Sequence, residues 1–424
     1  MAPANGAATP ASGPGSEAAD ALHKLSLATR TVHADDGISA HRAIAPAIHV
    51  STTFRYHSNP DDLRAGDNTD VWSSLTPSQP NAPGENHVYS RYSTPNTTRF
   101  EAVLSSVLGA PSLTYSSGLS AFHAMLVYLN PKRIAIGDGY HGCHGVIRIL
   151  TKLNGLKKLE LDEASLDQLE AGDVLHIETP LNPTGEARNL AYYAERAHRV
   201  GAYLTVDATF APPPLQNPFD FGADVVMHSG TKYFGGHSDM LCGVLSINPA
   251  HAEKWLPGII EERCYIGSVM GGLEGWLGVR SMRTLELRVK RQSESATSLV
   301  RWLDEEIRTN PTGAVGSLVD KVVHASLQKD EWVTKQMPGG FGPVFALWLK
   351  DSDDAKRLPS KMELFHHATS LGGVESLIEW RAMSDPTCDK QLLRVSIGVE
   401  GWEDLRDDLV QGLKKLAEEK KTRA

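Results

Sequence analysis

Cysteine is scarce in this chain: four residues in 424, at positions 143, 242, 264 and 388, with no Cys-x-x-Cys pair. That scarcity excludes a disulfide framework and a structural zinc ribbon, and it matches the reduced thiols of a cytoplasmic protein. No apolar run approaches the ~18–20 residues that cross a bilayer, so no membrane partner is expected. Basic residues are the minority, 42 Lys and Arg against 51 Asp and Glu, for a formal charge of −9. A surface of that sign suits no nucleic acid. Residues 1–20 contain no Lys or Arg and no apolar core, unlike a secretory or transit peptide, and read as a disordered tail.

What is present is core material. Hydrophobic residues make up 41% of the chain, and the length suits two or three structural units. Residues 21–88 read as an N-terminal arm, in which 57–88 is dense in Pro, Asn, Asp, Ser and Gly and has the character of an inter-subunit loop. From about 99 onward, helical spacing (Phe100, Val103, Leu104, Val107, Leu108) alternates with short β-rich runs. The runs are Arg133–Ile136, Val174–Ile177, Tyr203–Val206, Asp224–Met227 and Cys242–Ile247, with a helical stretch at 189–200. This alternation predicts an α/β unit with a mostly parallel sheet over 89–280, whose ligands bind beyond the carboxyl ends of its strands. After 280 the pattern changes to a long charged helix (281–308), strands at Val344–Leu349 and Leu392–Ile397, and a closing helix with Leu405, Leu409, Leu413 and Leu416 on one face. Residues 281–424 therefore read as a smaller α+β unit.

The motifs gather at strand ends. Lys232 follows the buried run at Asp224–Met227 among Ser229, Gly230 and Thr231. A lysine partly desolvated there favours its neutral, nucleophilic form, and Ser229 and Thr231 could bond a phosphate; the bland alternative is a solvated loop lysine. Asp207 closes the run before it, with Thr209 two residues on, and could hold a proton on a pyridine nitrogen or simply cap a helix. Ser117, Gly118 and Leu119 open an apolar helix whose free amides suit a phosphate. Asn182 precedes Pro183, which keeps it out of a helix, and Tyr89-Ser90-Arg91 puts an aromatic and a phosphate-binding guanidinium on one face of an extended segment. Gly137-Asp-Gly139-Tyr-His-Gly142 matches the dinucleotide fingerprint G-x-G-x-x-G, but the bulky Tyr140-His141 obstructs a pyrophosphate and Cys143-His-Gly-Val starts a helix poorly. Tyr140 suits an aromatic platform for a cofactor ring better. His141 and His144 lack the companions of a metal site, and no metal is expected.

Together, in this order, these elements resemble the Cys/Met-metabolism family of pyridoxal-phosphate enzymes, which includes cystathionine γ-synthase, cystathionine γ-lyase and O-acetylhomoserine sulfhydrylase. The resemblance runs from about Thr29 to the C-terminus and rests on Ser229-Gly-Thr-Lys-Tyr233, Gly236-His-Ser-Asp239, Val206-Asp-Ala-Thr209 and Tyr89-Ser-Arg91. It implies a fold-type-I transferase with pyridoxal 5'-phosphate held as a Schiff base on Lys232, which also shuttles protons. It further implies Asp207 at the ring nitrogen with Thr209 beside it, Tyr140 stacked on the ring, and Asn182 at the ring hydroxyl. Phosphate would lie on Ser229, Thr231 and the Ser117–Leu119 segment, with Tyr89 and Arg91 supplied by a neighbouring subunit of a homotetramer, a dimer of dimers. Arg394 would grip the substrate α-carboxylate with help from Ser376, and Glu375 would tune the choice of reaction.

The departures from the pattern cluster where the far end of a substrate is expected: Tyr140-His-Gly-Cys143, Gly145 in place of an arginine, Arg91-Tyr-Ser-Thr-Pro-Asn96, and Trp380-Arg381 in place of His-Pro. The resemblance implies γ-replacement on an O-acyl-L-homoserine by a thiol, sulfide or carbon nucleophile. Its rivals are γ- or β-elimination, a silent cofactor-binding paralogue, and the NAD-binding reading.

Overall fold

A computed structural model describes residues 24–38, 43–56, 58–63 and 87–423. The expected tail, and most of the loop 57–88, lie outside the described residues. Seven strands form the larger sheet: β1 Ser112–Tyr115, β2 Arg133–Ile136, β3 Lys157–Leu159, β4 Val174–Glu178, β5 Tyr203–Asp207, β6 Val225–Ser229 and β7 Gly243–Ile247. Their order is β1-β7-β6-β5-β4-β2-β3. The five strands β3, β2, β4, β5 and β6 run parallel. Strands β4, β5 and β6 are nearly continuous apolar runs because both faces are covered. Helices Gly118–Leu129, His141–Asn154 and Pro249–Ile266 share one core with Leu113, Met227 and Leu245, while Leu190–Arg199 packs on the other face against Leu175, Val206 and Val226.

Two details depart from expectation. Strands β7 and β1 form an antiparallel edge, and β1 lacks a sequence signal of its own. The segment after Gly139, read as a poor helix start, forms the 14-residue helix His141–Asn154 with no side-chain cap at Tyr140. Val146, Ile147 and Leu150 are buried along it, and tertiary packing of that stripe outweighs the weak start.

The second sheet holds β8 Val319–Val323, β9 Val344–Leu349, β10 His366–His367, β11 Leu377–Trp380 and β12 Leu392–Ser396, in the order β10-β11-β12-β9-β8. Helices Leu285–Thr309 and Trp402–Arg423 cover it; Leu405, Leu409, Leu413 and Leu416 are buried there, as their spacing predicts. The long helix also ties the units together. Arg288 Nη1 donates to the Tyr233 carbonyl at 2.8 Å, and Gln292 Nε2 donates to that of Gly373 at 2.6 Å. Among the described residues no helix is long and apolar enough to cross a membrane, and no cluster of His, Cys, Asp and Glu could hold a metal.

Candidate active site

Parallel strands end together, so β4, β5 and β6 bring Glu178, Asp207 and Ser229 to one edge. Glu178 pairs in register with Asp207, and Asp207 with Met227. Asp207 is 6% exposed. Its Oδ1 accepts both the Thr209 amide (2.9 Å) and the Thr209 hydroxyl (2.5 Å), and Oδ2 has no partner among the described residues. Burial pushes the Asp207 carboxyl up, against the opposing pull of the two Thr209 bonds. Thr209 Oγ1 in turn accepts the Ser229 amide at 2.8 Å, which ties the ends of β5 and β6.

Glu178, to which the sequence pointed no role, joins two loops. Its Oε2 accepts the Tyr140 amide and its Oε1 the Asn182 amide, each at 2.7 Å. Burial, and then the neighbouring Asp207, push its carboxyl up to about 8. A Cβ on Gly139, which has φ +150°, would stand 2.5 Å from Glu178 Oε2. The loop that matched a dinucleotide fingerprint therefore rests on a half-buried carboxyl group, where a pyrophosphate would have to lie. That geometry removes the NAD-binding reading.

Lys232 follows β6 in a turn and is mostly enclosed. Its Nζ donates to Ser370 Oγ at 2.6 Å. Burial and the Arg394 charge push the Lys232 ammonium down to about 8, against a smaller upward pull from Glu379. Ser370, which has φ +76°, also offers its carbonyl to Arg394 Nη2 at 2.8 Å. Arg394, on β12, further reaches Asn182 Oδ1 with Nη1 (3.1 Å) and Glu379 Oε2 with Nη2 (2.6 Å). Burial lowers its guanidinium to about 10, so it stays charged at neutral pH. The site thus closes between the two sheets. A Cβ on Gly372 would lie 3.0 Å from the Lys232 carbonyl carbon.

Ser376 stands elsewhere. Its hydroxyl donates to Glu400 Oε2 at 2.9 Å and accepts the Gly398 amide at 2.9 Å, and it is fully buried. Ser370 holds the place beside Lys232 and Arg394 that the sequence had suggested for Ser376. Glu375 accepts the Ser238 hydroxyl from the loop after Lys232. The Thr231 hydroxyl is engaged by Cys242, donating to its carbonyl at 3.2 Å and accepting its amide at 3.0 Å. Tyr89 and Arg91 do not form a continuous extended segment. Tyr89 bridges Thr53, and the amides of Tyr92 and Ser93 then turn back onto its carbonyl. Arg91 Nη1 donates to the Cys264 carbonyl at 2.9 Å, its guanidinium lies 5.6 Å from the Tyr89 ring centroid, and among the described residues it has no bond to the Lys232 cluster.

A phosphorylated pyridine aldehyde fits these residues. Ser117 caps the helix Gly118–Leu129 by accepting the Ser120 amide on Oγ, which leaves the Gly118 and Leu119 amides without intrahelical acceptors. A Cβ on Gly118 would meet Ser229 Cβ at 3.1 Å, so Gly118 keeps the cradle between helix and strand end open. A Cβ on Gly142 would stand 2.6 Å from the Tyr140 ring and 2.9 Å from Leu119, so the ring lies over the same helix start. Phosphate on the helix amides and Ser229, a ring nitrogen at Asp207 Oδ2 and the aldehyde at Lys232 Nζ use each group as its chemistry allows.

This constellation, on the strand ends of an α/β sheet, defines a pyridoxal-phosphate enzyme. A family model described as "Cys/Met metabolism PLP-dependent enzyme" matches residues 28–414. The chain belongs to that family, and its cofactor is pyridoxal 5'-phosphate. It is 31% identical over 350 residues to cystathionine beta-lyase of Lactococcus lactis subsp. cremoris (strain MG1363), covering 77% of this chain and 88% of the relative. It is 30% identical over 418 residues to cystathionine gamma-synthase of Escherichia coli (strain K12), covering 92% and 98%. Among solved structures, metB from Corynebacterium glutamicum superposes with a TM-score of 0.79 at 27% identity, covering 93% of this chain and 99% of that one.

Proposed function

We propose that the chain catalyses γ-replacement on an O-acyl-L-homoserine: the acyl group leaves as its acid, and a thiol, sulfide or stabilised carbanion takes its place on Cγ. The observation that carries this reading is the double use of Ser370, with Lys232 Nζ on its hydroxyl and Arg394 on its carbonyl. An α-amino acid whose carboxylate rests on Arg394 then has its Cα beside Nζ. Pyridoxal phosphate, when bound, supplies the aldehyde that takes the substrate amine and the ring that spreads negative charge from Cα. Asp207 Oδ2 keeps a proton on the ring nitrogen. Lys232 Nζ removes the Cα proton and returns it at the end, and between these events serves the protons of Cβ and Cγ. Tyr140 covers the ring, Asn182 Nδ2 turns to its hydroxyl, and the Ser117–Leu119 amides with Ser229 anchor the phosphate. Glu375, held by Ser238, governs the choice between replacement and elimination. Tyr89 and Arg91 reach the site of a second copy within a homotetramer built as a dimer of dimers.

The enclosure of Lys232 supports replacement, which needs water kept from the reacting carbons. Elimination is the second reading, supported by the lyase names of several relatives near 30% identity. The experiment is to supply O-acetylhomoserine with a panel of thiols and β-keto acids and identify products by mass. The expected result is acetate plus an amino acid extended at Cγ. A keto acid and ammonia from cystathionine, with no extended product from any pair, would establish the lyase reading instead.

A further inference from the structure

The segment Trp380-Arg381 departs from the family pattern, and its two side chains go different ways. Trp380 Nε1 donates to the Lys390 carbonyl at 2.8 Å and its ring lies 5.8 Å from Lys356 Nζ, on the face of β11 away from Arg394. Arg381 is only 3% exposed. Its Nη1 lies 3.2 Å from Glu379 Oε2 and bonds Ser384 Oγ. The same Oε2 receives Arg394 Nη2 at 2.6 Å, and the other oxygen, Oε1, receives the Ser384 hydroxyl at 2.7 Å. Two buried guanidiniums therefore share one carboxylate. Asp385 feels the Arg381 charge, but its Oδ1 is occupied by the Thr387 amide at 3.0 Å and hydroxyl at 2.6 Å. Glu379 alone does not balance the arginine pair, and Asp385 is a further carboxylate that feels the Arg381 charge.

Donor geometry points the same way. Every bond of the Arg381 guanidinium among the described residues leaves from Nη1, so the N–H groups of Nε and Nη2 remain as a planar fork suited to a carboxylate. The Arg381 side chain keeps 4% exposure. Burial raises the Tyr140 phenol while Arg381 and Arg394 both act to lower it, so both charges are felt at Tyr140.

We propose that Arg381 receives a second carboxylate, carried by the substrates beyond Cγ, while Arg394 receives the α-carboxylate. The inference rests on the amino-acid reading above, and it names the substrate class: one member of the pair carries a carboxylate beyond its reacting atom. That carboxylate has two sources, a dicarboxylic acyl leaving group or a carboxylate-bearing nucleophile, and the test separates them.

In the first arm, holoenzyme is given O-succinylhomoserine against O-acetylhomoserine. In the second, O-acetylhomoserine is held saturating with mercaptoacetate against mercaptoethanol. Wild-type protein should favour the anionic member of one pair by about tenfold or more in kcat/KM, as expected for a buried forked contact. Arg381→Gln should erase that preference through KM, with the neutral member changed less than about twofold. A purely structural role, stapling the turn 381–385 to β11, predicts equal losses on neutral and anionic members and would overturn the proposal. So would the absence of any anionic preference in the wild type, a result that needs no variant to fold. If neither ester releases acid but cystathionine is cleaved, the replacement reading fails on its own. The carboxylate comparison is then made between cystathionine and methionine, with the same two criteria.

Discussion

At Lys232, burial and the Arg394 charge disfavour the proton, while Glu379 favours it less strongly, and the balance leaves the ammonium at about 8 rather than 10.5. Covalent capture of an aldehyde needs the neutral amine. In cofactor-free protein the neutral fraction rises about tenfold per pH unit below that value and levels off above it. The rate at which a visible band grows on adding pyridoxal phosphate should follow that curve, with its bend near 8. A bend near 10.5 would mean that the lysine is solvated, and a band surviving in Lys232→Ala would place the covalent bond elsewhere. The Ser370 hydroxyl at 2.6 Å fixes where Nζ waits, so the lone pair is aimed as well as freed.

At the scale of strands, the carboxyl ends of β4 and β5 set a half-buried and a buried acid side by side, and Glu178 holds two loops through two backbone amides. Its carboxyl is raised from 4.5 to about 8, so between those values it is neutral in the fold and ionised in the unfolded chain. The sign follows: stability falls as pH rises through that interval, and the loss is complete above about 8. Glu178→Gln cannot ionise and should lack this decline, though Gln accepts only one of the two amides and starts about 1–3 kcal/mol lower. Chemical denaturation of cofactor-free protein at pH 5 and pH 8 checks it. Parallel declines in the two proteins would show that Glu178 is ionised in the fold.

The same strands show how far the sequence could be read. Val174–Glu178, Tyr203–Asp207 and Val225–Ser229 are buried on both faces, so their apolar runs gave both the sheet and the strand-end positions of Asp207 and Lys232. Strand β1 is four residues, two of them Ser and Thr, paired only through the antiparallel edge, and a run that short carries no period. Ser370 was hidden because its partner Lys232 lies 138 residues away, a distance no local pattern spans. Glu178 was visible as a residue but not as a clamp, since its two partners are backbone amides, which no side-chain motif advertises.

At the scale of the whole molecule, the described arm leaves large apolar side chains bare: Ile44 is 99% exposed, Val50 82% and Tyr56 64%, and Tyr265 on the adjoining helix 74%. Surface of that kind, beside Tyr89 and Arg91, suits contact with another copy. Within its own chain the Arg91 guanidinium meets the Cys264 carbonyl and the Tyr89 and Tyr92 rings among the described residues. If Arg91 serves the partner's phosphate, Arg91→Ala and Lys232→Ala are defects in different halves of a shared site. Each variant alone should be nearly inactive. Unfolded, mixed and refolded together, they form pairs in which one site carries both defects and the other carries none. Random pairing around a two-fold axis makes half the pairs mixed, so about a quarter of wild-type activity should return. Light scattering on the mixture confirms that the copies associate. Association without recovered activity would show that Arg91 acts inside its own subunit, and that the bare apolar arm serves assembly without completing a site.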